Sequence, residues 1–467
     1  MNYDMLLIHP SAATSSPQFI VMPMGLVSVM NELHDYTVEA VNVGLEMCLN
    51  RNFEVTQFLK QHQFDMVGID LHWHEHAYTA LEIASLCKAL NPDCFVMLGG
   101  FTASYFAEEI LQFCDDVDVV VSGEAEEAVP LLLQHEEFSR IPNLVYRENG
   151  RIKKTSVNPL ASLDDLDFST IKRLHHWEEY LKCSIHAHMR RRFWYDFWLC
   201  TGRGCEYNCS YCGGASSAQE KICGRKGITF RSVDAVIKDL TSLQDLGVHI
   251  VCPSHDISLA GEKYWRELFA LMKKEGIYMG MYLEVWQLPQ RAFIKALSEA
   301  CDPRFTTIAM TLLSGSESVR RKNGKYFSNQ DYYTLTKFVE DVKMNHAPYF
   351  ATGLPFETPE TFKETLAMSE KLLSEYNPCT IFCTPLRLDP GSPMYENPEA
   401  YQVIKRYQAF TDYYDKCKKR SENVPYDPTG YCTEFLDGKT IMGTQSLWET
   451  EMKKLISGGS EDLLHFV

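Results

Sequence analysis

Short apolar runs alternate with amphipathic stretches over the first 140 positions of the chain. Residues 4–9, 38–43, 65–71, 95–98 and 118–122 are dense in Val, Ile, Leu and Met and read as strands. Between them, 51–62, 79–90, 104–113 and 124–134 have helical spacing, with Phe53, Val55, Phe58 and Leu59 marking one face of the first. Strand–helix alternation of this kind demands a parallel, doubly wound sheet, and ligands of such sheets sit beyond the carboxyl ends of the strands. The loops of interest therefore follow His9, Leu71, Leu98 and Ser122.

The rhythm breaks at 141–192, which reads as a connector. It holds a hairpin turning at Asn149-Gly150 and then text rich in His and Trp. From residue 193 the alternation resumes. Strands at 193–199, 249–252, 278–285, 305–312, 349–353 and 379–385 flank helices at 233–246, 265–275, 290–299, 330–344 and 360–374. Six β/α units predict a partial barrel over 193–390, with active residues at the carboxyl ends of its strands. Residues 391–467 are expected to form a small closing module that shapes a substrate pocket.

Composition narrows the function. A net charge of −17 argues against a nucleic-acid substrate, because phosphate binding needs a basic footprint. Arg190-Arg191-Arg192 and Arg320-Arg321-Lys322 are local exceptions. The first of them either faces an anionic substrate or forms a solvated surface. No run is long and apolar enough to span a bilayer, and the opening residues read as a strand, not a signal peptide. Sixteen scattered cysteines then imply reduced thiols and a cytoplasmic location.

Three of those cysteines carry the chemistry. Cys205, Cys209 and Cys212 form a C-x3-C-x2-C run, preceded by a predicted strand and followed by Gly213-Gly214. Three thiolates suit three corners of a [4Fe–4S] cube and leave one iron open, whereas a zinc site would usually add a second C-x2-C or a His pair. The run resembles that of the radical SAM superfamily, which implies S-adenosylmethionine (SAM) on the open iron and a 5′-deoxyadenosyl radical. Leu313-Ser-Gly-Ser-Glu-Ser-Val-Arg320 and Thr352-Gly-Leu-Pro-Phe-Glu-Thr358 resemble the turns after the fourth and fifth strands of that barrel. Ser314, Glu317, Gly353 and Glu357 are thereby implied at SAM. Asp256 and Glu284 end the second and third strands and are candidates for the SAM amine or the substrate. Tyr282 and His255 are candidates for managing a proton or a radical.

The first domain, 1–140, carries a second resemblance. Its segments around Asp70, Gly99-Gly100 and Gly123-Glu124 are similar to a cobalamin-binding domain of the kind fused before radical SAM barrels. The glycines would let backbone approach a flat macrocycle. The D-x-H-x-x-G segment of many cobalamin proteins is missing after the first strand. His72, His74 and His76 alternate, so if extended they share one side, and they either line a polar loop or bring an imidazole such as His72 towards cobalt. The expected fold is therefore α/β: a Rossmann-like cobalamin-binding domain, a partial (β/α)6 barrel and a carboxyl-terminal module. The implied activity is methylation of an unactivated carbon of a small molecule or peptide, with electrons from a flavodoxin or ferredoxin. Cyclisation or rearrangement by the same architecture, loss of cobalamin binding in the first domain, and a cobalamin-responsive regulatory role are the competing readings.

Overall fold

The computed structural model describes residues 2–11, 22–182 and 195–456. Arg190, Arg191, Arg192, Phe193 and most of the loop after the first strand lie outside the described residues. The chain divides into two compact units. The first comprises Met1–Cys183, Ser216–Gly227 and Tyr407–Asp427, and the second comprises Ser184–Ala215, Ile228–Arg406 and Pro428–Val467.

The first unit is built on strands β1 (Asn2–His9), β2 (Val38–Asn42), β3 (Gln63–Asp70), β4 (Phe95–Gly99), β5 (Val119–Val121), β6 (Leu144–Glu148) and β7 (Arg151–Lys154). They form one sheet in the order β2-β1-β3-β4-β5-β6-β7. The first five are parallel, and their register places Val41, Ile8, Ile69, Leu98 and Val120 in one apolar row across the sheet. Each is at most 2% exposed, which is the core that the apolar runs require. The hairpin expected in the connector instead extends this sheet, because β6 pairs antiparallel with β5 and β7 with β6. The predicted helix 104–113 is two helices, Phe101–Tyr105 and Ala107–Phe113. A helix that was not expected, Val43–Leu49, starts directly after β2, where Asn42 Oδ1 caps the backbone N–H groups of Gly44 and Leu45. Strand order reverses between β1 and β3, so the crevice beyond His9 and Asp70 is the topological switch point.

The second unit holds β8 (Asp196–Leu199), β9 (Gly202–Cys205), β10 (Gly227–Phe230), β11 (Ile250–Pro253), β12 (Gly280–Val285), β13 (Thr307–Leu313), β14 (Asn345–Thr352) and β15 (Phe382–Pro385). Six of these form a parallel sheet in the order β15-β14-β13-β12-β11-β8, with β8 and β15 at its two ends among the described residues. Alternate residues Ile250, Cys252, Tyr282, Ala309 and Ala347 pack together, with Trp198 and Tyr349 against them, and fill the inner face. Beyond β15, strands β16 (Val403–Lys405) and β17 (Tyr431–Thr433) pair antiparallel. Helix Gly438–Ile456 packs on the β14–β15 side, where Trp448 Nε1 donates to Ser369 Oγ at 2.9 Å. Among the described residues no helix is long and apolar enough to cross a membrane.

Candidate active site

In the second unit, β9 delivers Cys205 to the start of a tightly wound loop. The Tyr207 N–H points to Cys205 Sγ at 3.4 Å, and the N–H groups of Cys212 and Ala215 donate to the carbonyls of Cys209 and Cys212 at 3.2 and 3.1 Å. Gly324 lies against this loop with φ +96°, and a Cβ there would sit 2.9 Å from Cys209 Sγ. Gly213 is equally crowded, since its Cβ would meet the Pro390 carbonyl oxygen at 3.0 Å, and its N–H points to Asp389 Oδ2 at 3.4 Å. Gly214 follows, and its backbone N–H donates to Cys212.

Burial pushes the thiols of Cys205 and Cys209 above their ordinary value and that of Cys212 to about 12. The charge of Lys325 pulls the first two back down. Lys325 is itself buried, with Nζ donating to the Trp286 carbonyl at 2.8 Å. Metal binding therefore displaces protons from three shielded thiols next to a fixed cation. The sulfurs do not crowd round a single ion. Among the described residues the only His, Cys, Asp and Glu trio with donors within 4.8 Å of one another is Glu46, His175 and His176. A tetrahedral zinc ion, with bonds of ~2.3 Å, would need its thiolates closer together than that limit, whereas an iron–sulfur cube spreads them.

The strand-end candidates separate into distinct roles. Tyr282 and Glu284 alternate on one face of β12. Tyr282 is buried in the inner cluster and its hydroxyl hydrogen-bonds that of Tyr349. Glu284 is exposed between buried neighbours, which leaves its carboxylate accessible on the inner face. Asp256 uses Oδ1 on Ser258, from the N–H at 3.0 Å and the hydroxyl at 2.6 Å, and Oδ2 on the Trp286 N–H at 2.9 Å. It is buried and works first as the cap of the Ile257–Ala260 turn. His255 hydrogen-bonds Ser254 Oγ through Nδ1 and the Gly204 carbonyl through Nε2, each at 2.9 Å. That arrangement suits holding β9 in place better than moving a proton.

The two turns are equally self-contained. Ser314 is buried, its hydroxyl lies 3.2 Å from Thr365 Oγ1, and its carbonyl accepts from Arg320. Arg320 is thus buried structure and not part of a basic surface. Glu317 accepts the Asn329 N–H at 2.7 Å. Glu357 is fully buried, with Oε2 on the Gly353 N–H at 2.7 Å and Oε1 without a partner. Burial raises its pKa to about 7. The Gly353 carbonyl accepts from Tyr431 Oη at 2.6 Å, and Ile441 leaves no room for a Cβ at this glycine.

In the first unit the switch-point crevice holds a polar group that the sequence only half revealed. His9, the last residue of β1, meets Asp70, the last residue of β3, with Nδ1 and Oδ2 2.7 Å apart. Burial acts to raise the Asp70 pKa, but His9 holds it below the ordinary value. His72, His74 and His76 do not run extended: His74–His76 is one turn of 3-10 helix. His74 and His76 are buried while His72 is exposed. His76 packs edge-on to His9, with ring centroids 5.3 Å apart, and burial pushes its pKa to about 3, so it stays neutral. Glu75 is engaged by Lys416 at 2.5 Å and by Arg420, both on helix Phe410–Ser421.

Gly100 has φ +96°, and a Cβ there would strike the His72 N–H and Asp70 Oδ1. Gly99 beside it is open, so Gly99 leaves backbone that a flat ring can approach while Gly100 makes room for Asp70 and His72. Gly123, with φ +94°, donates its N–H to Ser104 Oγ at 2.9 Å. Glu124, expected at the cofactor, is instead half of a buried ion pair. Arg225 grips both its oxygens, with Nη2 2.9 Å from Oε2, and the Leu160 N–H donates to the same oxygen at 2.9 Å. The sequence reading also missed His9, which it treated as the end of a strand; its place beside the first loop was the available signal.

An open parallel barrel with a three-thiol loop at its strand ends, carried with a switch-point domain, defines the class: a radical SAM enzyme with a corrinoid-type first domain. A B12-binding domain model matches residues 10–133 and a Radical SAM superfamily model matches residues 199–368. An uncharacterized methyltransferase of Pyrococcus horikoshii is 25% identical over 390 residues, covering 80% of this chain and 78% of that protein. Hopanoid C-3 methylase of Methylococcus capsulatus is 23% identical over 288 residues, 59% of this chain and 50% of its own length. The structure of the radical SAM methyltransferase TsrM from Kitasatospora setae, with cobalamin and a [4Fe-4S] cluster bound, shares the fold. Its TM-score is 0.72 at 16% identity, over 99% of this chain and 92% of that one. The chain belongs to the cobalamin-binding-domain-containing radical SAM enzymes.

Proposed function

We propose that the chain methylates an unactivated carbon of a small molecule or peptide, as a cobalamin-dependent radical SAM methyltransferase. The observation that carries this reading is one chain holding both a switch-point crevice with a Cβ-free floor and a three-thiol loop beside a buried lysine. When bound, the [4Fe–4S] cluster, SAM and cobalamin would supply reductive cleavage of SAM and methyl transfer.

The protein's part is to hold and shield. Cys205, Cys209 and Cys212 hold the cluster, and Lys325 balances its charge from within the protein. Glu284, the accessible carboxylate on the inner face, takes the SAM amine or an amine of the substrate. The Ser314–Glu317 and Gly353–Glu357 turns fix the shape of the strand ends from behind. In the first unit Asp70 orients His9, His76 stays neutral, Gly99 admits the corrin ring and Gly100 lets Asp70 and His72 close up beside it. A small electron-transfer protein such as a flavodoxin or ferredoxin supplies the reductant.

The test needs no knowledge of the substrate. The full chain, loaded with cluster and cobalamin, is reduced and given SAM labelled in its methyl group. Label appearing on the corrin is the expected result. SAM cleaved to 5′-deoxyadenosine while the corrin stays unlabelled would replace methylation with ring closure or rearrangement.

A further inference from the structure

Glu46, His175 and His176 converge within the first unit. Glu46 lies on helix Val43–Leu49, and its side chain is 5% exposed. The histidines arrive on a segment laid along β2: Leu174 bridges Ala40 in parallel, and the His175 N–H donates to the Ala40 carbonyl at 2.8 Å. Neighbouring residues in extended backbone point to opposite sides. Here His176 adopts a left-handed φ of 53°, a cost for a residue with a Cβ, and that turn brings both imidazoles to one point. Each Nδ1 lies 2.8 Å from the same atom, Glu46 Oε1.

Two donors on one oxygen of a buried carboxylate form a ready three-point donor set, all within 4.8 Å of one another. The remaining side is open, since the His175 and His176 side chains are 31% and 47% exposed. Burial acts to raise the Glu46 pKa, but hydrogen bonds from both imidazoles keep it below the ordinary value, so the carboxylate is charged. Two imidazoles and one carboxylate suit a borderline ion such as zinc. Magnesium and calcium prefer all-oxygen sets.

We propose that this trio is a zinc-type divalent cation site, with His175 Nδ1, His176 Nδ1 and Glu46 Oε1 as protein ligands and water on the open side. On binding, each neutral imidazole moves its proton from Nδ1 to Nε2, and a protonated one releases a proton to solvent, so the ion replaces the two hydrogen bonds to Glu46. The bound ion would cross-link the edge of the first sheet to the segment that carries the chain out of this unit. Zinc then adds a cross-link to an end of the connector that is otherwise held by hydrogen bonds and by buried Ile171 and Leu174.

Zinc K-edge absorption on the full chain, with its iron–sulfur cluster assembled and one equivalent of zinc added, tests the site. Sulfur and imidazole scatterers are distinguishable, which matters in a protein with 16 cysteines. The expected result is one zinc per chain with nitrogen and oxygen neighbours at ~2.0–2.1 Å and the multiple scattering of imidazole. Glu46→Gln and His176→Ala should each lose that zinc while keeping their iron. His176 is half-exposed, so its variant leaves the fold intact and decides the matter if Glu46→Gln does not fold. Zinc held only by sulfur, no zinc retained, or nitrogen-ligated zinc undiminished in His176→Ala would each overturn the proposal.

Discussion

A buried lysine among thiols is costly unless the thiols are ionised and bound, and this gives Lys325 a measurable role. Its charge acts on Cys205, Cys209, Cys212 and Asp256 from a site that water barely reaches. Replacing it with methionine removes a positive charge beside the cluster and makes the cluster harder to reduce. A redox titration of Lys325→Met followed by electron paramagnetic resonance should show the same iron content and a more negative midpoint; an unchanged midpoint would remove Lys325 from the site. Glu357 offers a second test. Its pKa rises from 4.5 to about 7 on folding. Between those values the unfolded chain gives up its proton while the folded chain keeps it. The stability from this group is therefore full at low pH and lost as pH rises towards 7, by roughly 3 kcal/mol. Denaturant unfolding across that range should show the decline in the wild type and a flatter profile in Glu357→Gln. An equal decline in both would show that the carboxyl is not the cause.

Among the elements, the helix Ser216–Cys223 and the arginine just after it belong to the first unit, where Arg225 and Glu124 form a buried pair. Removing one partner strands a buried charge, so Arg225→Met should cost roughly 3–5 kcal/mol in urea unfolding. Glu124→Met combined with Arg225→Met should recover much of that, because two apolar chains leave no unpaired charge. A double variant as unstable as the single one would contradict this account of the pair. The same pair shows where reading the sequence stops. Strands and helices were legible because local periodicity reports which face of an element is buried, and the thiol loop because its three ligands lie within eight residues. Partner choice over long separations leaves no periodic trace. Glu124 and Arg225 are 101 positions apart, and Lys416 reaches Glu75 across 341. The hairpin was recognised from Asn149-Gly150, but its antiparallel docking on β5 depends on a sheet edge assembled elsewhere in the chain. His9 escaped notice for the same reason, since its partner Asp70 stands on another strand.

At the scale of the whole molecule, two units carry two cofactor-type sites on one polypeptide. Their chemistry explains why neither resembles an ordinary hydrolytic or acid–base site. Most of the polar candidates around the barrel strand ends are occupied in holding loops, as Asp256, His255, Ser314 and Glu357 show. The protein positions its cofactors and leaves the bond-breaking to them. The central claim is tested most directly by anaerobic purification, reconstitution with iron, sulfide and hydroxocobalamin, an ultraviolet–visible spectrum, and an assay of SAM cleavage. The account predicts retained corrin absorbance and reductant-dependent 5′-deoxyadenosine, with cleavage abolished when Cys205, Cys209 and Cys212 are all changed to alanine. Full cleavage by that triple variant, or no corrin retained by the wild type, would contradict it.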